Sequence, residues 1–306
     1  MKIIFKSLLV FLAPAAVQAK PATLDTTSRW IADSVRITID RPQKHAGKAG
    51  IVILYALPNG NTTEQTFGKS IAAGEDARYN IQNIGAQTEF IRKELRKESV
   101  TVIYLENNLR SWPAWKRKHP GATGKIRHLV DSLYQSFPMG SRLYLNGHSG
   151  GGSFIFGYLA SVTGIPSYVH RISFLDSNYG YDSTYFPKLT QWLKANSQAC
   201  LNIFAYNDSV ALYQGKRFVS DTGGTWYRSH LMLKHFSRLF EFRKNGNDTL
   251  QLFSAMDGRL RFYLLDNFDQ GIYHTKQVEF NGFIHSILCG TVYEEKKYRY
   301  YGPRAY

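Results

Sequence analysis

Arg142-Leu143-Tyr144-Leu145-Asn146-Gly147-His148-Ser149-Gly150-Gly151-Gly152-Ser153-Phe154-Ile155-Phe156-Gly157-Tyr158-Leu159-Ala160 is the stretch whose reading decides the fold. A short β-type run meets a serine among glycines, and an apolar helical pattern starts at once. Gly147 to Gly151 fits G-x-S-x-G, the pattern of a sharp strand-to-helix turn with a serine at its tip. The flanking glycines let the backbone close that turn without Cβ clashes. The Ser149 Oγ would then stand exposed above a helix N-terminus, with the Gly150 N–H aimed where an oxyanion forms. A plain glycine-rich turn would carry the same letters. The strand before it and the helix after it favour a nucleophile.

The rest of the chain alternates in the same way. Val35, Ile37 and Ile39 alternate within Ser34 to Asp40, a half-buried strand pattern. Gly50 to Leu57 is a continuous apolar run suited to a strand covered on both faces, and it ends in the turn Pro58-Asn59-Gly60-Asn61. A helix is expected around Ile81 to Arg96, then a strand from Ser99 to Leu105. That strand opens into a long loop, Glu106 to Gly121, and a helix follows near Lys125 to Phe137. After the serine, strands are expected at Arg171 to Leu175, Leu201 to Tyr206 and Arg259 to Leu265. Helices are expected at Pro187 to Asn196, at Tyr227 to Phe242 and from His285 onward, and a hairpin over Val210 to Val219. Strands alternating with helices imply an α/β fold: a mostly parallel central sheet with helices on both faces, in three layers.

Composition narrows the class. The 306 residues suffice for one large α/β domain, and a 43% hydrophobic share is that of a folded globular chain. Lys2 and Lys6, an apolar run from Ser7 to Val17 and the small residues around Ala19 read as a secretory signal over residues 1–19. Residues 20–306 then form a single domain with an insertion at about 210–247, in a secreted or periplasmic protein without a membrane span. The formal charge is +15, and taking away Lys2 and Lys6 leaves +13. Such a balance favours an acidic substrate or polymer. No nucleic-acid motif is present. Cys200 and Cys289 have no metal-ligand spacing, so no metal or cofactor is expected, and their redox state stays open.

A serine hydroxyl needs a base within reach, and the base needs an orienting acid. In a parallel sheet the loops after the strands share one rim, so partners are sought just after strands, downstream of Ser149. His285 is the first choice of base, at a helix start after a glycine; His274, on the long loop before it, is the second. Asp208 is the favoured acid and Asp176 the alternative, each at the end of a strand. Gly150 together with Asn59 or Gly60 would supply the oxyanion hole. Trp112, Trp115, Asn178 and Tyr179 fall on the same rim and are candidate substrate contacts, suited to a sugar ring or acidic polymer.

Ser149, then Asp208 or Asp176, then His285, on alternating strands and helices, resembles the α/β-hydrolase superfamily over about Val35 to Gly290. Gly147 to Ser153 and Phe174 to Asp182, with the signal, look like a branch of exported bacterial α/β-hydrolases. The resemblance implies acyl-enzyme chemistry without a cofactor. The leading reading is an exported esterase acting on a carbohydrate-linked or other small acyl substrate. The same triad would serve a peptidase or cell-wall amidase. A non-catalytic module that binds anionic polymer is the third reading. The long separation of Asp208 from His285 departs from the superfamily's common pattern and puts the acid in doubt.

Overall fold

The computed structural model describes residues 26–43, 47–69 and 82–306; the proposed signal and Ile81 lie outside them. The strands are β1 (Thr26–Ile31), β2 (Val35–Asp40), β3 (Ile51–Ala56), β4 (Val100–Asn107), β5 (Arg142–His148), β6 (Val169–Leu175) and β7 (Cys200–Tyr206). Beyond them come β8 (Leu212–Tyr213), β9 (Lys216–Arg217), β10 (Arg243–Gly246), β11 (Leu250–Ala255) and β12 (Leu260–Leu265). The helices are α1 (Thr63–Phe67), α2 (Ile84–Glu94), α3 (Trp112–Lys118), α4 (Ala122–Gln135), α5 (Gly152–Ser161), α6 (Phe186–Ala195), α7 (Thr225–Phe236), α8 (Lys276–Glu279) and α9 (Gly282–Leu288).

Ten strands form one sheet in the order β1-β2-β4-β3-β5-β6-β7-β12-β11-β10. The middle six, β4 to β12, pair in parallel, and the edge strands are antiparallel. All six residues of β3 are buried because the sheet is covered twice. Val52, Leu54 and Ala56 point into a core shared with α3 to α7, while Ile51, Ile53 and Tyr55 point into one shared with α1, α2, α8 and α9. In α4, Ile126, Leu129, Val130 and Leu133 recur at helical spacing and form its buried face. The expected three-layer α/β arrangement is present.

Register sets the rim. Ala56 of β3 lies opposite Gly147 of β5, His148 opposite Leu175 of β6, and Leu175 opposite Phe204 of β7. The loops that carry Asn59, Ser149, Asp176, Asp208 and His274 therefore leave the sheet along one edge.

Several elements depart from expectation. The expected loop at residues 106–121 contains α3, begun by the Ser111 side-chain cap and a proline in its first turn. The helix expected to reach Phe242 stops at Phe236, and the chain beyond builds β10 and β11. Strand β1 and helix α8 had no counterpart in the sequence reading. Residues 210–247 hold the β8–β9 hairpin, α7 and β10.

Both cysteines are free and buried. They flank Arg171, a buried guanidinium without a carboxylate partner among the described residues. It donates to the Cys289 Sγ at 3.1 Å and carbonyl at 2.9 Å, and to the Ser286 carbonyl at 3.3 Å, pinning α9 against β6.

Candidate active site

Ser149 follows β5 at the first position of the turn, with a φ of 53°. A side-chain residue held there is strained, and the surrounding packing enforces it. Gly151 is obligatory: a Cβ on it would lie 2.1 Å from the Ala56 carbonyl oxygen. The turn therefore presses onto the end of β3, and α5 starts immediately behind it. Ser149 itself is half-buried, open to one side.

Its N–H donors can be sorted. The first amides of a helix have no acceptor inside it, so the Gly150 N–H is available to an oxyanion. A Cβ on Gly150 would strike the Asn59 side-chain oxygen at 1.9 Å, so the loop after β3 lies directly over the turn. Of the two candidates there, Gly60 is corrected. Its N–H is already committed to the Arg110 carbonyl at 2.8 Å. Among the described residues the Asn59 N–H has no acceptor, and Asn59 is exposed.

The histidine also changes. His285 lies inside α9, 1% exposed, with its Nδ1 3.0 Å from the Tyr298 hydroxyl. Its ring stacks on Tyr300 at 5.1 Å and meets Tyr263 edge-on at 4.7 Å. Burial pushes its pKa down to about 3; the Glu294 charge opposes the shift, and Arg261 and Arg171 add to it. That ring is a core residue without access to the rim.

His274 stands on the rim instead. Its Nδ1 donates to Asp176 Oδ2 at 2.5 Å, which leaves Nε2 with its lone pair for a hydroxyl proton. Its side chain is 26% exposed, and that of Asp176 is fully buried. Its ring lies 4.6 Å from the ring of His148, the residue before the serine. His148 is buried, and its Nε2–H donates to the His274 carbonyl at 3.0 Å, fastening the histidine loop to the serine turn. Burial, and then the His274 charge, hold its pKa well below the usual histidine range, so it stays neutral.

Asp176 sits at the tip of β6 with a φ of 46°, a second strained tip beside the first. Its Oδ1 accepts from the Thr225 hydroxyl. Asp208 reaches the same threonine: the Thr225 N–H donates to Asp208 Oδ2 at 2.8 Å. The two candidate acids thus meet at the N-terminus of α7, where helix dipole and free N–H groups favour negative charge. Only Asp176 bonds to a histidine.

The candidate substrate contacts divide. Trp112 and Trp115 are each 1% exposed and pack edge-to-face at 5.4 Å; their indole N–H groups bond the Leu105 and Asp33 carbonyls. They hold α3 on the domain and do not face the site. Asn178 is fully buried, its amide donating to Ser229 Oγ at 3.1 Å, which ties the Asp176 loop to α7. Tyr179 does reach the surface. With Tyr206, Asp208, Tyr213, Phe218, Ile272 and His274 it lines a cavity of about 360 Å³. A larger cavity of about 660 Å³ lies between β1, β2 and α4, and its walls contain neither Ser149 nor His274.

No family model matches the chain, and no curated protein matches it. Solved structures similar to it include a thermostable esterase at 10% identity and a TM-score of 0.46; the match covers 83% of this chain, which spans 58% of that one. Another is the siderophore hydrolase EstA from Aspergillus nidulans, at 14% identity and a TM-score of 0.47, covering 91% of this chain and 99% of that one. An acetyl xylan esterase from Aspergillus awamori gives 14% identity and a TM-score of 0.48, covering 86% and 100%. The fold is of the α/β-hydrolase type. That description rests on the strand order and on the serine turn between β5 and α5. Among the described residues no helix is long and apolar enough to cross a membrane.

Proposed function

We propose that this chain is an exported serine hydrolase acting on carboxylic esters. The observation that carries the reading is the Asp176–His274 pair on the rim where Ser149 follows β5, at 2.5 Å and with the proper ring nitrogen engaged. Ser149 Oγ attacks the acyl carbon while His274 Nε2 takes its proton. The carbonyl electrons move to oxygen, which the N–H groups of Gly150 and Asn59 hold. Collapse of that intermediate breaks the ester bond, and His274 returns the proton to the leaving alcohol. Water then attacks the acyl-enzyme by the same route and frees the acid. Asp176 orients the imidazole and balances its charge when protonated. His148 positions His274 through its backbone. Tyr179 and the aromatic cavity beside His274 would take an apolar or ring-bearing part of the substrate.

Labelling by a fluorophosphonate probe tests the reading. Wild-type protein should label, and Ser149→Ala and His274→Ala should not. Unlabelled wild-type protein would sink it. Turnover of p-nitrophenyl acyl esters against aminoacyl anilides separates ester from amide preference. Export is tested by sequencing the mature N-terminus, expected at Lys20.

A further inference from the structure

Asp208 bonds to no histidine, yet it is buried beside the acid that does. From the pattern of donors around it we infer that Asp208 carries a proton which, through the Thr225 hydroxyl, it shares with Asp176, making it a positioning residue for the catalytic histidine. This inference rests on the Ser149–His274–Asp176 reading above.

The donor count leads there. The Thr225 hydroxyl has one proton, and it goes to Asp176 Oδ1, its short contact. The same oxygen lies 3.3 Å from Asp208 Oδ2. Between an ionised carboxylate and a hydroxyl whose proton is spent, that contact sets lone pair against lone pair. With a proton on Asp208 it becomes a hydrogen bond, and the chain runs in one direction. Asp208 O–H donates to Thr225 Oγ1, Thr225 O–H donates to Asp176 Oδ1, and His274 Nδ1–H donates to Asp176 Oδ2. One negative charge then serves two carboxyl groups, and it rests on Asp176, which accepts from two side chains. Asp208 Oδ1 has no hydrogen-bond partner among the described residues, which suits a neutral acid better than a carboxylate.

Among the described residues the neighbours supply no compensating cation. Asp208 faces Asp176 and Tyr179 from the loop after β6, Tyr206 from β7, the N-terminus of α7, and His274. No lysine or arginine lines the cavity they share. Burial first, and then the Asp176 charge, push the Asp208 carboxyl up to about 6, against the N–H donors of α7. When it ionises, a second buried negative charge stands beside Asp176 and the one-directional chain of donors through Thr225 is broken.

Infrared spectra and labelling kinetics of the mature protein test this together. Wild-type protein should show a protonated-carboxyl band that titrates with a midpoint near 6. Asp208→Asn keeps a donor toward Thr225 and should lack that band. Its fluorophosphonate labelling profile should lack the inflection near pH 6 that the titration of Asp208 gives the wild type's. Thr225→Val should move the band, and Thr225→Ser should restore it. A band that survives Asp208→Asn, or a labelling profile that this variant leaves unmoved, overturns the inference. If wild-type protein carries the band and Asp208→Asn removes it, but neither labels, the shared proton stands and the hydrolase reading falls.

Discussion

His274 and His285 lie eleven positions apart and have opposite surroundings. His274 follows β12 on a loop rich in turn-forming polar residues, meets a buried carboxylate at 2.5 Å and keeps part of its ring in solvent. His285 sits in Gly282-Phe283-Ile284-His285-Ser286-Ile287-Leu288, packed against three aromatic rings with a tyrosine hydroxyl as its partner. A base must be charged for part of each cycle, so it needs a counter-charge and some water. The ring of His285, enclosed by aromatics, has no access to water, and the Glu294 charge acting on it does not outweigh its burial. Access and a directly bonded carboxylate, rather than place in a chain order, separate the rim histidine from the core one.

The widest separation between the two should appear in rate. His274→Ala should lower labelling and ester turnover by at least about a thousandfold, as loss of a triad member does elsewhere. His285→Phe keeps the packed ring and should leave the rate per folded molecule within about twofold. Stopped labelling kinetics, normalised to folded protein by circular dichroism, read both. A His285→Phe protein that folds but has lost its activity reverses the assignment.

Stability should invert that order. His285→Ala removes a fully buried ring and should cost about 3 kcal/mol in urea unfolding, in the range of large-to-small core changes. His274→Ala opens no core cavity and should cost less than about 1 kcal/mol. Gly150→Ala sharpens the contrast from the other side. Its Cβ must displace Asn59, so the oxyanion donors separate and the rate should fall about a hundredfold. The stability conferred by His285 should not change. Equal activity in Gly150→Ala and wild type would remove Asn59 from the hole.

The central parallel sheet was legible because its signals are local. Continuous apolar runs at Ile51 to Leu57 and Leu201 to Tyr206, and the glycines around Ser149, need no tertiary information. The edge strands were not: Arg243 to Gly246 is exposed along its whole length and carries no apolar pattern. At the site, the serine turn and both aspartate tips were legible because each follows a buried strand. His285 reads as a rim residue from its helix start after a glycine, against the apolar residues on both sides of it. Those residues, Ile284 and Ile287 among them, were the signal that marked it as core. The tryptophans misled in a related way: Trp112 and Trp115 stand three apart, a spacing that puts both on one face of a short helix, and that face is buried. The commitment of the Gly60 N–H to Arg110 depends on two loops meeting, and no sequence pattern carries it.

The effect most specific to His285 is its pH linkage. In the folded chain its pKa lies near 3 and in the unfolded chain near 6.5, so the unfolded state binds the extra proton between those values. Its contribution to stability is therefore fully present above pH 6.5 and is lost as pH falls toward 3. The slope is at most about 1.4 kcal/mol per pH unit. Asp208 runs the other way. Its folded pKa lies near 6 against 3.8 unfolded, so its contribution is fully present below 3.8 and is lost as pH rises through 6. In wild-type protein the two slopes oppose each other between about pH 4 and 6 and flatten the profile. His285→Phe should uncover a stability that declines with rising pH over that window, and Asp208→Asn one that increases. Urea midpoints measured at half-unit intervals from pH 4 to 8 would show it. Parallel profiles for the two variants would mean that His285 is not held neutral by its core, and the contrast with His274 would lose its electrostatic basis.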